Sequence, residues 1–376
     1  MRASIAIRNR TDLERLSGLR VCFVIQHIGA LGGTERACAA VLNGLAESHA
    51  CESLDLVELF PQGPCPFPLS PDVRVSALFD RKVTLIGNWP RIVSRLCRML
   101  RKARIDTLVA VESTHALYAV AAARLLGIRV IVWEHFNFNA TMGKRKRALG
   151  RRVAARFADD IVTLTHRDIA LWQAGAHPRA RLTCIPNSGP APTAEPYDPA
   201  RRLVLAAGRL APQKGFDRLI AAWAIMERDP RSHGWRLDIL GDGPDGAALQ
   251  AQARDLTRVT IRPATAAIDM AFAEAGLFAA SPRFEGLPMV LLEAAAHGVP
   301  AVAFDCETGP AEIIVDHETG LLVPEGDVEA LADALLRLMD DAATRRRLSD
   351  GARVRARAFE RSRIVEEWLA LLRCPH

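Results

Sequence analysis

The chain alternates short, continuous apolar runs with longer helical stretches, and it does so twice. In the first half, Arg20-VCFVIQHI reads as a buried strand. A glycine loop, Gly29-ALGGTER, and a helix from Ala37 to Ser48 follow it. Thr107-LVAVES precedes an alanine-rich helix, His115 to Leu126, and Arg129-VIVWEH and Asp160-IVTLT complete the set. Apolar strands without polar alternation, separated by helices, predict a parallel sheet covered on both faces. Ile185-PNSGPAPTAEPYDP is too rich in Pro, Ala and Gly for a regular element and reads as a linker. The pattern then restarts with Arg202-LVLAAGRL, Trp235-RLDILGDG, Arg258-VTIRP, Gly276-LFAAS, Val299-PAVAFD and Gly320-LLVP. The end of the chain, Phe359-ERSRIVEEWLALL, is an amphipathic helix with Ile364, Val365, Trp368 and Leu372 on one side. The expected fold class is α/β with two Rossmann-like domains. Residues 1–188 form the first, 189–200 the linker, 201–357 the second and 358–376 the C-terminal helix.

Length agrees with two domains, since 376 residues exceed a single ordinary core. With 49% apolar and 24% charged residues the composition is that of a globular protein. The net charge of +6 is partly local. From Met142 to Arg156 the chain reads MGKRKRALGRRVAAR, with no acid. Helical spacing puts several of Lys144, Arg145, Lys146, Arg147, Arg151 and Arg152 on one side and Leu149, Val153 and Phe157 on another. This is either a solvated helix face or a contact for an anionic membrane surface or phosphate. Only Phe136, Phe138 and Phe157 are near enough to stack on bases, so no nucleic-acid partner is expected. The eight cysteines show no Cys-x-x-Cys pair and no histidine at metal spacing; Cys51 and Cys65 are free to pair, but nothing requires it. MRASIAIRNRTDLERLSGLR has no apolar run, so no signal peptide is expected. No stretch of about 18 uncharged apolar residues occurs. The expectation is a cytoplasmic protein whose only contact with a membrane is peripheral, from the inner face.

Four motifs carry candidate chemistry, and each lies where a strand ends and a helix begins, the usual ligand position of such sheets. Ser281-PRFEGLPMVLLEAAAHG sets two glutamates apart, Glu285 in the loop and Glu293 about one and a half turns into the helix. A carboxylate on so apolar a helix needs a partner, and a ribose diol suits it. The amides of Gly286 and Leu287, at the helix start, suit phosphate oxygens. Gly208-RLAPQKGFDRL puts Arg209 and Lys214 on one loop, with Gly208 allowing close backbone approach. Two fixed cations are what a departing diphosphate requires. Gly241-DGPDG matches the dinucleotide fingerprint, but the next strand ends in Arg262 and Pro263 instead of an acid. Gly241 and Gly243 therefore read as a tight turn lining a nucleotide pocket, with Arg262 near the base. In Gly29-ALGGTERA, Gly32 and Gly33 precede a helix for which Thr34 is a suitable N-cap. His115 and His135, both at strand ends, are candidates for orienting or deprotonating an acceptor hydroxyl.

Together these residues resemble glycosyltransferase family 4, the retaining GT-B family, over essentially the whole chain. GGTER, IPN at Ile185, GRLAPQKG, GDGP, FEGLPMVLLEAAAHGVP and GLLVPEGD carry the resemblance. Phe304-DCETGPAEII is similar to the subgroup that builds exopolysaccharide, O-antigen and lipid-linked oligosaccharide, although that subgroup often has Pro where Glu307 stands. The resemblance implies two domains facing each other across a cleft, an acceptor-binding one and a nucleotide-sugar-binding one, with the C-terminal helix packing back towards the first. It implies that Arg209 and Lys214 hold the donor diphosphate, Glu293 the ribose and Glu285 the transferred sugar. The implied donor is a nucleotide sugar, a UDP-sugar before others, and the acceptor a glycan or lipid-linked saccharide. The sequence has no Asp-x-Asp clamp for a metal-bound diphosphate, so no metal or other cofactor is expected. It also shows no evident carboxylate nucleophile for double displacement, which favours a same-face attack assisted by the leaving diphosphate. A sugar-nucleotide epimerase on a similar fold and a non-catalytic basic binding protein are the alternatives.

Overall fold

The computed structural model describes residues 18–30, 32–143, 145–265 and 267–374. The N-terminal stretch read for a targeting signal, and Lys144 of the basic run, lie outside the described residues. The chain divides into two compact units. The first takes in the described residues up to Thr163, Asp168–Ile185 and those from Arg361 onward; the second takes in Leu164–Arg167 and Pro186–Glu360.

The first unit holds a seven-stranded sheet of β1 (Leu19–Ile25), β2 (Cys51–Glu58), β3 (Val73–Ala77), β4 (Thr107–Val111), β5 (Arg129–Trp133), β6 (Asp160–Thr163) and β7 (Arg181–Cys184). Their order is β3-β2-β1-β4-β5-β6-β7, and every pairing is parallel. The second unit holds β8 (Leu203–Ala207), β9 (Arg236–Leu240), β10 (Val259–Arg262), β11 (Leu277–Ala280), β12 (Ala301–Asp305) and β13 (Gly320–Pro324), in the order β10-β9-β8-β11-β12-β13, again all parallel. Strands buried on both faces read as unbroken apolar runs, which is why β4, β5, β8 and β12 stand out in the sequence. β3 and β7 lie at the sheet's edges and are mostly half-buried or exposed, so they carry no such run. Strand order reverses between β1 and β4 in one sheet and between β8 and β11 in the other. Crossovers leave in opposite directions there, and a crevice opens at the carboxyl ends.

The C-terminal helix, Arg361–Arg373, belongs to the first unit, as expected. Its Trp368 is fully buried, with ring centroids 4.8 Å from Trp133 and 5.9 Å from Phe23. The Arg129 guanidinium donates to the carbonyls of Leu371, Leu372 and Cys374, the unsatisfied acceptors that every helix end presents. All eight cysteines, Cys51 and Cys65 among them, are free thiols.

Two local expectations are corrected. The helix after the first glycine loop runs Gly33–Glu47, so it starts one turn before Ala37 and Thr34 lies inside it. Gly32 occupies the N-cap position, where Glu35 folds back so closely that a Cβ on Gly32 would sit 2.2 Å from the carboxylate. The basic helix, Arg145–Phe157, is turned the other way from its expected amphipathic reading. Arg147 and Arg151 are buried, while Leu149 and Phe157 are about half exposed beside Arg145, Arg152 and Arg156. The reason is electrostatic. Glu112 and Glu134, at the ends of β4 and β5, accept from Arg147 Nε at 3.0 Å and Arg151 Nε at 2.9 Å. Gly150 between them has room for no side chain, because a Cβ there would meet the Ser113 carbonyl at 2.1 Å.

Candidate functional site

In the second unit, the loops that follow β8 and β11 flank the reversal of strand order and are tied together. The Arg283 amide donates to the Gln213 carbonyl at 2.9 Å, and Ser281 Oγ donates to the Gly215 carbonyl at 2.8 Å. Arg283 also grips Asp217 through both guanidinium nitrogens, at 2.8 and 2.6 Å, and holds that carboxyl below its ordinary range. Gly215 is required where they cross. Its φ is +63°, and a Cβ would lie 2.0 Å from the Ser281 carbonyl. The turn after β9 closes the third side, with the Leu210 amide on the Asp242 carbonyl at 2.9 Å and the Asp245 amide on the Leu210 carbonyl at 3.0 Å. Side chains at Gly241 or Gly243 would strike the Gly208 and Leu210 carbonyls. Three segments up to about seventy residues apart in sequence are thus one structure.

This frame brings Lys214 Nζ to 2.5 Å from Glu285 Oε1. Gln213 Nε2 donates to the other carboxylate oxygen at 3.3 Å. Glu285 is buried and Lys214 only partly so, so the cation keeps an open side. Arg209, on the same loop, is exposed. Glu285 is fixed from behind as well, because Thr308 Oγ1 donates to its carbonyl at 2.5 Å. Thr308 is fully buried. In the sequence it stands within Phe304-DCETGPAEII, a segment read for the subgroup resemblance and not for a role of Thr308 in the site.

Glu293 is buried on the helix Met289–Ala296, and Gly286 and Leu287 lie just before that helix begins. Arg262 ends β10 with its carbonyl accepting from the Gly241 amide at 2.9 Å, so its backbone borders the same turn. Its guanidinium is half exposed and engages Asp238, one strand over. Gly208, Arg209, Lys214, Gly241, Gly243, Arg262 and Glu285 are therefore joined through contacts within one unit, and Gly286, Leu287 and Glu293 continue from Glu285 into the adjoining helix.

Gly32, Gly33, His115 and His135 belong to the first unit. His115 is buried, with Nδ1 2.9 Å from the Tyr118 hydroxyl. His135 is buried against Trp133, ring centroids 4.3 Å apart. Burial pulls its pKa down to about 3, so it is a neutral imidazole at physiological pH. Its Nε2 has no hydrogen-bond partner among the described residues. Close enough to act electrostatically on both histidines is a residue that sequence reasoning missed. Glu112 caps β4 at the strand-order reversal with φ +80°, a backbone state that a non-glycine residue adopts only under constraint. Burial pushes its pKa up, but His115, Arg147 and Thr114 outweigh this and hold it at about 2. An acid directly after an apolar strand was the available signal.

Among the described residues no group of three or more His, Cys, Asp or Glu side chains is placed to hold a metal ion. No described helix is long and apolar enough to cross a membrane.

Comparison with known proteins agrees with this layout. Residues 201–341 match the family described as "Glycosyl transferases group 1", and residues 32–188 match "Glycosyl transferase 4-like domain". An uncharacterized glycosyltransferase of Haemophilus influenzae is 28% identical over 357 residues, covering 94% of this chain and 99% of that one. A Campylobacter jejuni enzyme is 26% identical over 360 residues, covering 94% and 98%. Its name describes an alpha-1,4-N-acetyl-D-galactosaminyltransferase acting on an undecaprenol-linked saccharide. Among solved structures, Anabaena HepE in complex with UDP superposes with a TM-score of 0.75 at 18% identity, over 94% of this chain and 99% of that one. That likeness shows a common GT-B fold.

Proposed function

Because the chain belongs to the group 1, family 4-like glycosyltransferases, we propose that it transfers a hexose or N-acetylhexosamine from a UDP-sugar, with retention of configuration, to a glycan or lipid-linked saccharide in cell-surface polysaccharide synthesis. The observation that carries this reading is the Lys214–Glu285 contact at 2.5 Å inside a frame built by three loops. A flexible lysine held against a buried carboxylate is poised, not spent. An incoming diphosphate carries more charge than Glu285 and recruits Lys214 from its open side, with Arg209 beside it on the same loop. Glu285 then turns its freed oxygen to sugar hydroxyls, and Glu293 serves the ribose diol. As the glycosidic bond breaks, charge gathers on the departing diphosphate, and fixed cations stabilise it without reorganisation. They take the place of a metal, so the reaction proceeds with no cofactor.

On the acceptor side, His115, tied to Tyr118, orients the hydroxyl, whereas His135, with its pKa depressed to about 3, is too weak a base to hold the proton, which passes to the departing diphosphate. The relatives support the substrate classes: HepE was solved with UDP, and the Campylobacter enzyme's name specifies a polyprenol-linked acceptor. A lipid-linked acceptor would keep the enzyme in the cytoplasm, at the inner face of the membrane. The test is UDP release from a panel of UDP-sugars with and without saccharide acceptors. Release that requires acceptor, with an α-linked product from an α-linked donor, supports the reading. Epimerised donor without acceptor would replace it with the epimerase.

A further inference from the structure

Three successive helices of the first unit, Leu85–Lys102, Ser113–Leu126 and Arg145–Phe157, pack side by side. They contain five, one and six Lys or Arg residues in turn, and no Asp or Glu. Some of these cations are already engaged. Arg147 and Arg151 are buried on Glu112 and Glu134, Arg124 pairs with Asp159, and Arg95 donates to the Leu78 carbonyl and lies over Phe79. The others stay at the surface. Arg91, Arg98 and Lys102, at steps of seven and four, form one outward stripe with Arg101 beside it. Arg145, Lys146, Arg152 and Arg156 form a second on the third helix.

Apolar side chains are exposed on the same helices. Ile86 and Leu125 are 77% and 71% exposed, and Trp89, Leu149 and Phe157 between 40% and 52%. The layer is continuous. The Trp89 indole donates to the Leu117 carbonyl on the second helix, Gly150 abuts Ser113, and Arg124 donates to the Phe157 carbonyl.

We infer that this three-helix face is a docking surface for an anionic lipid bilayer. Charge complementarity selects the partner, because the three helices carry cations and no acid of their own, and Asp159 beside them is taken up by Arg124. The exposed side chains decide between anionic partners. Leu125, Leu149, Ile86 and Phe157 have nothing to pair with on a phosphodiester backbone, whereas the boundary between headgroups and acyl chains receives aliphatic and aromatic groups flanked by Lys and Arg. Trp89, with its indole N–H satisfied and its ring partly exposed, is suited to that boundary. The inference adds a partner to the proposed transferase and does not depend on which sugar moves. It also replaces the expectation of one amphipathic helix with a wider surface, since two of that helix's arginines are turned inward.

Flotation of the full chain with vesicles tests it. Wild type floats with phosphatidylcholine vesicles carrying about a third phosphatidylglycerol at low salt, and not with phosphatidylcholine alone. Arg98→Gln, Lys102→Gln, Arg145→Gln and Arg152→Gln together weaken partitioning about a hundredfold. The matching change of the three arginines to Lys keeps it, which separates lost charge from lost fold. Leu149→Ser with Phe157→Ser weakens it several-fold even where charge is retained. UDP release with a soluble acceptor is the same in all of these proteins, so failure of flotation leaves the transferase reading standing. The proposal is overturned if wild type does not float, if the four-Gln protein floats equally, or if the chain prefers a DNA duplex and the Leu149/Phe157 variant binds that duplex as wild type does.

Discussion

The crevices of the two sheets are built from different material. In the second unit the loops after β8, β9 and β11 are joined mainly by backbone amides and carbonyls, with glycines at the crossings. In the first unit the strand ends carry side-chain ion pairs, half-buried Glu112 with buried Arg147 and, buried on both sides, Glu134 with Arg151. A backbone frame fixes its ligands' positions cheaply and leaves Lys214 and Arg209 open to an anion. A frame of ion pairs is rigid but brittle, because the remaining partners of each charge are neutral amides, carbonyls and a hydroxyl that do not replace a lost counter-ion.

The sharpest way to break this comparison is to remove one member of a buried pair. Arg151→Met leaves Glu134, which is fully buried, without its counter-ion and held by the neutral His135 and Phe136 amides at 3.1 and 3.2 Å. The loss of stability is expected to be about 3–5 kcal/mol. The double change Glu134→Gln with Arg151→Met should recover much of it, and urea melts of the single and double variants measure the coupling.

Next in size is the donor side. Lys214→Ala should lower kcat/KM about a hundredfold, near 3 kcal/mol in the transition state, with the melting temperature little changed. Glu293→Ala is expected to behave alike. Steady-state kinetics together with thermal melts check both, and near-normal turnover by a folded Lys214→Ala protein would remove Lys214 from the chemistry.

A smaller effect is set by pH. The native pKa of His135 is depressed to about 3, so only the unfolded chain takes up that proton as pH falls through about 6.5. Its neutral burial therefore stabilises fully above that pH, and the contribution fades by up to about 1.4 kcal/mol per pH unit towards pH 3. His135→Gln removes this slope. Denaturant midpoints at pH 7.5, 5.5 and 4.5 should converge for wild type and variant as acid is added. A constant gap would mean that the ring is not buried neutral.

The same contrast explains how far the sequence could be read. The loops proposed to hold the donor were legible because glycines, an arginine and a lysine at short spacing constrain the backbone, and the apolar strands before them mark where each loop begins. The contact of Lys214 with Glu285, seventy-one residues apart, was not legible, because one motif was read for the diphosphate and the other for the sugar, and only the structure shows that β8 and β11 are neighbours. The first unit was harder. Arg147 and Arg151 look like surface charge until Glu112 and Glu134 are seen beneath them, and pairs 35 and 17 residues apart leave no periodic trace. β2, β3 and β7 escaped: β3 and β7 because edge strands need no apolar face on both sides, and β2, although interior, because Glu52, Asp55 and Glu58 break its apolar run.

The central claim is that the second unit's loops form a donor site that holds a diphosphate with its own cations. Isothermal titration of UDP in excess EDTA tests it most directly. Wild type should bind, and Lys214→Ala, still folded, should bind at least tenfold more weakly. Binding that appears only when magnesium or manganese is restored, or that is equal in the two proteins, would contradict the account.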